Sequence, residues 1–325
     1  SRDNGDIILQ RYLPMPARVA VGTRVDPVML EIFNNLFMSI AEQMGMVLEN
    51  TAASVNIKER LDFSCALFDQ HGDLIANAPH IPVHLGSMDE SIKALLRTHA
   101  AGLAQGHIYL CNAPYNGGTH LPDLTVVTPV LDASGELVFV VASRAHHADV
   151  GGISPGSMPP DSHHIDEEGV VFDNFLLAAN GKFRSAELRH ELVSAKYPAR
   201  NPEQNIADCK AQLAANERGR KLLLEMIAQY GIDTVHAYVR HTLDNAEESV
   251  RQVIARLGAT LNKAGSGGDN PDEAARGSDH TPEDDTHTRS RSFRYPFDNG
   301  QQICVEITLD TDKLEAIIDF SGTSR

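Results

Sequence analysis

The sequence has no tryptophan, and its four cysteines form no CxxC pair. Cys65, Cys111, Cys209 and Cys304 lie far apart along the chain. This spacing argues against a disulfide framework and against a cysteine-rich zinc site, and it favours a reducing compartment. We therefore expect a cytoplasmic protein.

Long apolar runs and an excess of basic residues are also missing. No run reaches the roughly 18 apolar residues of a transmembrane helix, and the polar N-terminus lacks the apolar core of a signal peptide. The formal net charge of -16 argues against a nucleic-acid partner, because phosphate binding needs clustered Lys and Arg. The chain has neither a glycine-rich phosphate loop nor a GxSxG motif, so we do not expect it to bind ATP by itself.

The length of 325 residues and the hydrophobic fraction of 42% are typical of a globular protein with a substantial core. We interpret residues 1–25 as an irregular arm and 26–258 as the main domain. Residues 259–288 have almost no large apolar side chains, which predicts a disordered acidic insertion. Residues 289–325 are interpreted as the start of a truncated β-rich continuation, and the missing initiating Met favours a chain cut from a longer one.

Apolar residues at helical spacing predict the main helices. An N-cap Asp26, followed by proline at the first helical position, begins a helix over residues 28–50. A second amphipathic pattern covers Ser87–Ala104. Two long patterns, Asn201–Tyr230 and Ile232–Leu257, meet at a glycine and predict an antiparallel helical pair.

Shorter apolar runs predict strands. Residues 62–68 and 74–77 flank a turn and are expected to form a hairpin. Further strands are expected at residues 107–112, 124–131 and 137–143, and as a three-stranded meander after residue 290. The predicted fold class is α+β, with a mixed or antiparallel sheet and a long helical pair.

The segments around two of these strands carry the candidate chemistry. Gly117–Asp123 precedes the strand 124–131, and Arg144–Gly152 follows the strand 137–143. If the two strands pair as a hairpin, the start of one lies beside the end of the other. The residues that would then meet are His120, Asp123, His146 and Asp149.

Imidazole and carboxylate groups together suit a divalent ion such as Zn²⁺, Mn²⁺ or Fe²⁺ at the strand ends. Such an ion with a vacant position would lower the pKa of a bound water. His146 is preferred over His147, which is kept as a reserve ligand, because adjacent residues on an extended chain point in opposite directions. Asp149 is a candidate fourth ligand, an orienting group for a histidine, or the catalytic base. The alternative is ordinary hydrogen bonding in glycine-rich loops.

Histidines and a cysteine outside these two segments are further candidates. His80 and His84 are separated by a proline, which argues against a helical pair, so we expect a loop in which either serves as proton donor or substrate anchor. Satisfied loop histidines are the alternative. Cys65 is expected to be a small buried residue rather than a nucleophile. For His163 and His164 we prefer a solvated acidic helix start to a second ligand cluster.

Several motifs resemble the hydantoinase B family, which includes the C-terminal half of 5-oxoprolinase, N-methylhydantoinase subunits and the large subunits of acetone and acetophenone carboxylases. These motifs are Asn56–Phe68, His80–Gly86, Gly117–Asp123, Ala142–Gly152 and Pro155–Pro160. The resemblance implies a divalent metal held by His120, Asp123 and His146. One departure is Asn112-Ala113-Pro114-Tyr115, where many members have Asn-Asp-Pro-Tyr.

Within the family, Met38–Gly45 and Ile153–Pro160 resemble the 5-oxoprolinases most. The resemblance implies a hydantoinase A-like partner domain or subunit that uses ATP to phosphorylate a cyclic amide. Metal-activated water would then open the ring, converting 5-oxo-L-proline, ATP and water to L-glutamate, ADP and phosphate. The alternatives are a hydantoinase or carboxylase subunit, and a non-catalytic subunit stapled by its metal. We also expect an oligomer.

Overall fold

The computed structural model describes residues 22–77, 81–99, 103–264 and 288–324. The contacts within it divide the chain into two units, residues 1–241 and 242–325. The predicted arm over residues 1–25 lies almost wholly outside the described residues, as does His80.

The first helix, α1 (Pro27–Thr51), forms where the sequence predicts it. The Asp26 side chain accepts a hydrogen bond from the backbone N–H of Met29 and so caps the free amides of the first turn. Its buried residues recur at helical spacing, and Phe33, Phe37, Met44 and Leu48 are fully buried. The helix therefore packs along one apolar face.

A seven-stranded sheet forms the centre of the first unit. Its strands are β1 (Phe63–Asp69), β2 (Leu74–Asn77), β3 (Ile108–Cys111), β4 (Asp123–Leu131), β5 (Leu137–His146), β6 (Phe175–Ala179) and β7 (Lys182–Phe183). The strand order is β2-β1-β5-β4-β3-β6-β7, and every neighbouring pair is antiparallel. Both predicted hairpins, β1–β2 and β4–β5, are present. The α+β class with an antiparallel sheet is confirmed.

Helices cover the sheet and carry parts of the site. They are α2 (Val55–Lys58), α3 (Pro82–Leu85), α4 (Met88–Thr98), α5 (Ser185–Ser194) and α6 (Pro202–Tyr230). Helix α4 is shorter than the predicted Ser87–Ala104. The segment around His84, expected as a loop, forms the one-turn helix α3, because Pro82 takes a first-turn position where its missing N–H costs nothing.

The two long helices are present, and the sequence predicts that they pack against each other as an antiparallel pair. The first of them, α6, has other main neighbours. It packs against α1 and against strands β4 and β5. The second long helix, α7 (Ile232–Ala264), begins in the first unit, where Tyr238 stacks on Phe33 with ring centroids 4.4 Å apart. Helix α7 continues to Ala264 and so covers the first residues of the predicted insertion at 259–288. Residues 265–287 lie outside the described residues.

The second unit contains the predicted meander. Its strands are β8 (Thr288–Pro296), β9 (Gln302–Asp310) and β10 (Glu315–Asp319), in the order β10-β9-β8. Arg251 on α7 donates hydrogen bonds to the carbonyls of Lys313 and Leu314 in the turn between β9 and β10. In the described part of the chain, no helix is long and apolar enough to cross a membrane.

Candidate metal centre

Strand β5 ends beside the first residues of its two neighbours, β4 and β1. This end of the sheet carries three side chains with carboxylate or imidazole groups. In the β4–β5 ladder, Asp123 is the direct partner of His146. On the other side of β5, the N–H of His146 donates to the carbonyl of Asp62, just before β1, at 3.0 Å. Directly opposite residues in a sheet point to the same face. Asp62, His146 and Asp123 therefore share one face at this end of the sheet.

His120, Asp123 and His146 come together as the sequence predicts. One ligand atom from each lies within 4.8 Å of the others. His120 Nδ1 is 3.1 Å from Asp123 Oδ2, and His146 Nδ1 is 3.4 Å from Asp123 Oδ1. Separations of this size are what donor atoms about 2 Å from a common ion would show.

The electrostatics of the cluster suit a cation. Burial raises the pKa of the Asp123 carboxyl, but His120, His146 and His84 together outweigh burial and hold this pKa well below its usual range. Conversely, the contact with Asp123 raises the pKa of His120 against the opposing effect of burial. In the described residues, His120 Nδ1 and Asp123 Oδ1 are buried side-chain atoms without a hydrogen-bond partner. The donor set and these orphaned atoms fit a divalent metal ion.

Gly117 and Gly118 allow the loop before β4 to pack closely against the backbone of α4 and of Asn112. Gly117 has φ +82°, and a Cβ there would lie 2.2 Å from the backbone nitrogen of Ser91 on α4. A Cβ on Gly118 would lie 2.2 Å from the carbonyl oxygen of Asn112. Only glycine fits such approaches. The loop then delivers His120 and also Thr119, whose hydroxyl donates to Asp123 Oδ2 at 2.5 Å.

His84 on α3 is part of the same cluster and is 1% exposed. Its Nε2 lies 3.2 Å from Asp123 Oδ2, and its Nδ1 lies 3.0 Å from the hydroxyl of Ser64 on β1. Since the Ser64 hydroxyl accepts from the N–H of Ile81, it is free to donate its own proton to His84 Nδ1. His84 Nε2 then carries the hydrogen that faces Asp123. In this arrangement His84 holds the Asp123 carboxylate in place. Its role as proton donor or substrate anchor stays a prediction.

His147 does not join the cluster. It follows the end of β5 and is fully buried, with Nε2 3.1 Å from Gln212 Oε1 and Nδ1 3.1 Å from Asn205 Nδ2. Both partners lie on α6, and burial lowers the pKa of His147. The reserve assignment as a ligand is therefore wrong for the same reason that favoured His146: successive side chains leave a strand on opposite faces.

Asp149 is also placed elsewhere than predicted. Its carboxylate accepts hydrogen bonds from the backbone N–H groups of Gly151, Gly156 and Arg200. The Arg200 guanidinium completes the set at 2.7 Å. Every lone pair that would serve a metal or a proton is thus occupied in shaping the loop after β5. A catalytic role for Asp149 is not supported by this geometry.

Sequence reasoning missed Arg144, a fully buried cation two residues before His146 on the same face. Its Nε donates to the Thr125 hydroxyl at 2.7 Å, and Nη1 donates to the Ser87 hydroxyl at 2.6 Å. Its Nη2 reaches the Ser91 hydroxyl at 2.8 Å and the Gly117 carbonyl at 2.9 Å. Arg144 therefore ties together the segments that carry His84, His120 and Asp123. Its period-2 spacing from His146 is the signal that could have found it.

The remaining candidates are structural. All four cysteines are buried and free, and burial raises the pKa of Cys65, which supports the reading of Cys65 as a packing residue. His163 and His164 donate backbone N–H groups to Glu167 at the start of a 3-10 turn. Within the described ranges, neither belongs to a group that could hold a metal.

Comparison with known proteins agrees with the motifs. The family described as Hydantoinase B/oxoprolinase matches residues 26–325. The 5-oxoprolinase of Dictyostelium discoideum is 44% identical over 303 residues, and 5-oxoprolinase 1 of Arabidopsis thaliana is 45% identical over 307 residues. These alignments cover 93% and 92% of this chain, but the chain spans only 22% and 23% of those relatives.

Solved structures share the fold. The ATP-dependent caprolactamase from Pseudomonas jessenii matches with a TM-score of 0.72 and 25% identity, over 90% of this chain and 46% of that one. Acetone carboxylase in its nucleotide-free structure matches with a TM-score of 0.71 over 92% of this chain and 38% of that one, but at 18% identity it shows the fold alone. The ladder that joins Asp123 to His146, the glycine-supported loop and the family match agree, and this chain belongs to the hydantoinase B/oxoprolinase family.

Proposed function

We propose that this chain is the ring-opening portion of an ATP-dependent 5-oxoprolinase, in which 5-oxo-L-proline, ATP and water give L-glutamate, ADP and phosphate. The main support for this proposal is that His120, Asp123 and His146 come together at the end of the sheet. The names of the relatives at 44% and 45% identity favour 5-oxoproline as the cyclic amide.

His120, Asp123 and His146 would hold a divalent ion of the Zn²⁺, Mn²⁺ or Fe²⁺ kind. Such an ion supplies Lewis acidity and a water of lowered pKa at neutral pH. The protein's own contribution is orientation: the Thr119 hydroxyl and the His84 ring both contact Asp123 Oδ2 and fix the carboxylate. His120 is 36% exposed and His146 16%, so the cluster is open to a small substrate on the imidazole side.

ATP is used elsewhere in this scheme. The sequence has no glycine-rich phosphate loop, so a hydantoinase A-like partner domain or subunit would phosphorylate the amide oxygen. A phosphorylated lactam is a better electrophile than a resonance-stabilised amide. We propose that this chain and its ATP-using partner both lie in the cytoplasm.

Two rival functions keep the same cluster. A subunit for another substrate is favoured by the likeness to the ATP-dependent caprolactamase from Pseudomonas jessenii. A non-catalytic subunit, stapled by its metal, would need a closed set of four protein ligands. The exposed sides of His120 and His146 argue against such a closed set.

Metal analysis of the purified protein tests the site. Wild type should bind one divalent ion, and His120→Ala or Asp123→Ala should lose it. His163→Ala is a matched control, because that exposed histidine lies outside the cluster and should leave metal content unchanged. Equal metal in wild type and both cluster variants would contradict the proposal. ADP release by the full-length enzyme with 5-oxoproline, caprolactam or hydantoin then identifies the substrate.

A further inference from the structure

The connections at one end of the central sheet expose large apolar side chains. Strands β1, β4 and β6 begin at this end, and β2, β3 and β5 run towards it. Five of the exposed side chains there, which together we call the apolar rim, are Val83, Leu85, Tyr115, Met158 and Val171. At the opposite end, the described turns at residues 69–73, 103–107, 132–136 and 180–181 expose no large apolar side chain. The apolar rim is therefore particular to the end that holds the metal centre.

The segments that carry Tyr115 and Val171 are bonded to each other through Asn112, which is fully buried. The Asn112 Nδ2 donates to the carbonyl of Val170 at 2.9 Å, and its Oδ1 accepts from the N–H of Phe172 at 2.6 Å. Tyr115 follows Asn112 by three residues, and Val171 lies between the two residues that Asn112 binds. The two exposed side chains therefore project from adjacent, fixed segments.

The rest of the apolar rim is fixed to the same base. Arg144 donates to the Ser87 hydroxyl, just after α3, and to the Gly117 carbonyl, so it joins α3 to the loop before β4. The Ser157 hydroxyl accepts from the N–H of Val150 at 2.8 Å, which fixes the loop after β5. The apolar rim is thus held in one arrangement before anything binds to it, which lowers the entropic cost of binding.

Exposed apolar side chains around a polar centre are typical of a protein–protein interface. Clustered apolar side chains on the surface of a soluble protein mark interaction sites. Tyr115 is 97% exposed, and tyrosine is among the residues that most often carry the binding energy of an interface. Weaker contacts around such an anchor exclude water from the centre. This end of the sheet therefore suits a protein surface that covers the metal centre.

The proposed function indicates which surface this is. The chain has no glycine-rich phosphate loop and spans 22% and 23% of its 5-oxoprolinase relatives, so the proposed scheme places the use of ATP in another part of the enzyme. The partly exposed His120 and His146 open at the same end as the apolar rim. A cyclic amide that is phosphorylated elsewhere has to reach the metal centre from this side.

We propose that the apolar rim docks the ATP-using part of the enzyme, with Tyr115 as its anchor, so that the activated amide reaches the metal centre without release into bulk water. The inference rests on the proposed function. In bulk water, attack on phosphorus would break the O–P bond and return the lactam and phosphate. ATP would then be converted to ADP without ring opening, and docking prevents this loss.

The first test measures ADP released per glutamate formed by the full-length enzyme. Tyr115→Ala and Val83→Asp should raise this ratio above the wild-type value, while metal content and melting temperature stay unchanged. Tyr115→Phe keeps the ring and should keep the wild-type ratio, which separates an anchor from a reacting hydroxyl. Val28→Asp is the matched control: Val28 is 67% exposed and Val83 58%, and each lies in the first turn of a helix.

The second test identifies the occupant without turnover. A photo-reactive benzoylphenylalanine in place of Tyr115 in the full-length enzyme should cross-link to the domain or subunit that binds ATP, and mass spectrometry of the peptides locates the bond. Cross-links only to a second copy of this region, or none, would overturn the inference. So would a wild-type ratio of ADP to glutamate in both Tyr115→Ala and Val83→Asp. Failure of the proposed function looks different, since the wild-type enzyme would then form no glutamate.

Discussion

At the scale of single residues, the centre depends on how one carboxylate is held. Asp123 is 0% exposed and contacts His84, His120 and His146. Of these, His84 contacts Asp123 through Nε2, and its Nδ1 is hydrogen-bonded to the Ser64 hydroxyl. Groups that orient a ligating residue typically affect metal affinity by about 10- to 100-fold.

We therefore predict that His84→Leu lowers the affinity for a divalent metal by about 10- to 100-fold, because Asp123 loses the N–H that orients it. His84→Gln retains a side-chain N–H at a similar reach, so it should bind metal more tightly than His84→Leu. Metal titration of the purified proteins measures both. Equal affinities in His84→Leu and His84→Gln would show that the imidazole only fills space.

At the scale of elements, the loop that carries His120 is held by close backbone packing against α4. Gly117 and Gly135 both have positive φ, at +82° and +90°. A Cβ at Gly117 would meet backbone atoms of Ser91 at 2.2 Å, whereas a Cβ at Gly135 would meet nothing within 4 Å. The two glycines thus separate the cost of a left-handed backbone from the cost of a clash.

We expect Gly135→Ala to lower the free energy of unfolding by about 1–2 kcal/mol, the cost of the left-handed conformation alone. Gly117→Ala should cost more than Gly135→Ala and should also weaken metal binding, because the clash with α4 shifts the loop that delivers His120. Denaturant unfolding and metal titration of both variants are the measurements. Normal metal affinity in Gly117→Ala would contradict this account of the loop.

At the scale of the whole molecule, the metal centre and the use of ATP are expected in different parts of the enzyme. The chain spans 22% and 23% of its 5-oxoprolinase relatives and has no glycine-rich phosphate loop. We predict that this chain alone binds a divalent metal but releases no ADP with 5-oxoproline. Adding the ATP-binding part should restore ADP release. ATP-dependent turnover by the chain alone would contradict this division.

Part of this architecture follows from local sequence patterns. The N-cap at Asp26 places α1, because capping depends on residues within one turn. The hairpin β4–β5 brings Asp123 opposite His146, because antiparallel pairing and the period of two set which side chains meet. His120, three residues earlier, then comes within reach through a short glycine-supported loop. These relations span few residues and a single turn.

The sequence by itself therefore determined the hairpin and the three side chains of the cluster. The tertiary structure alone decided which neighbours they have. Asp62 reaches His146 because β1 pairs with β5, a contact between distant segments that no local pattern encodes. Likewise, His147 is hydrogen-bonded to Gln212 on helix α6, and Asp149 is paired with Arg200. Local periodicity fixes the direction of a side chain, but its partner depends on long-range packing, which has no signature within a single segment.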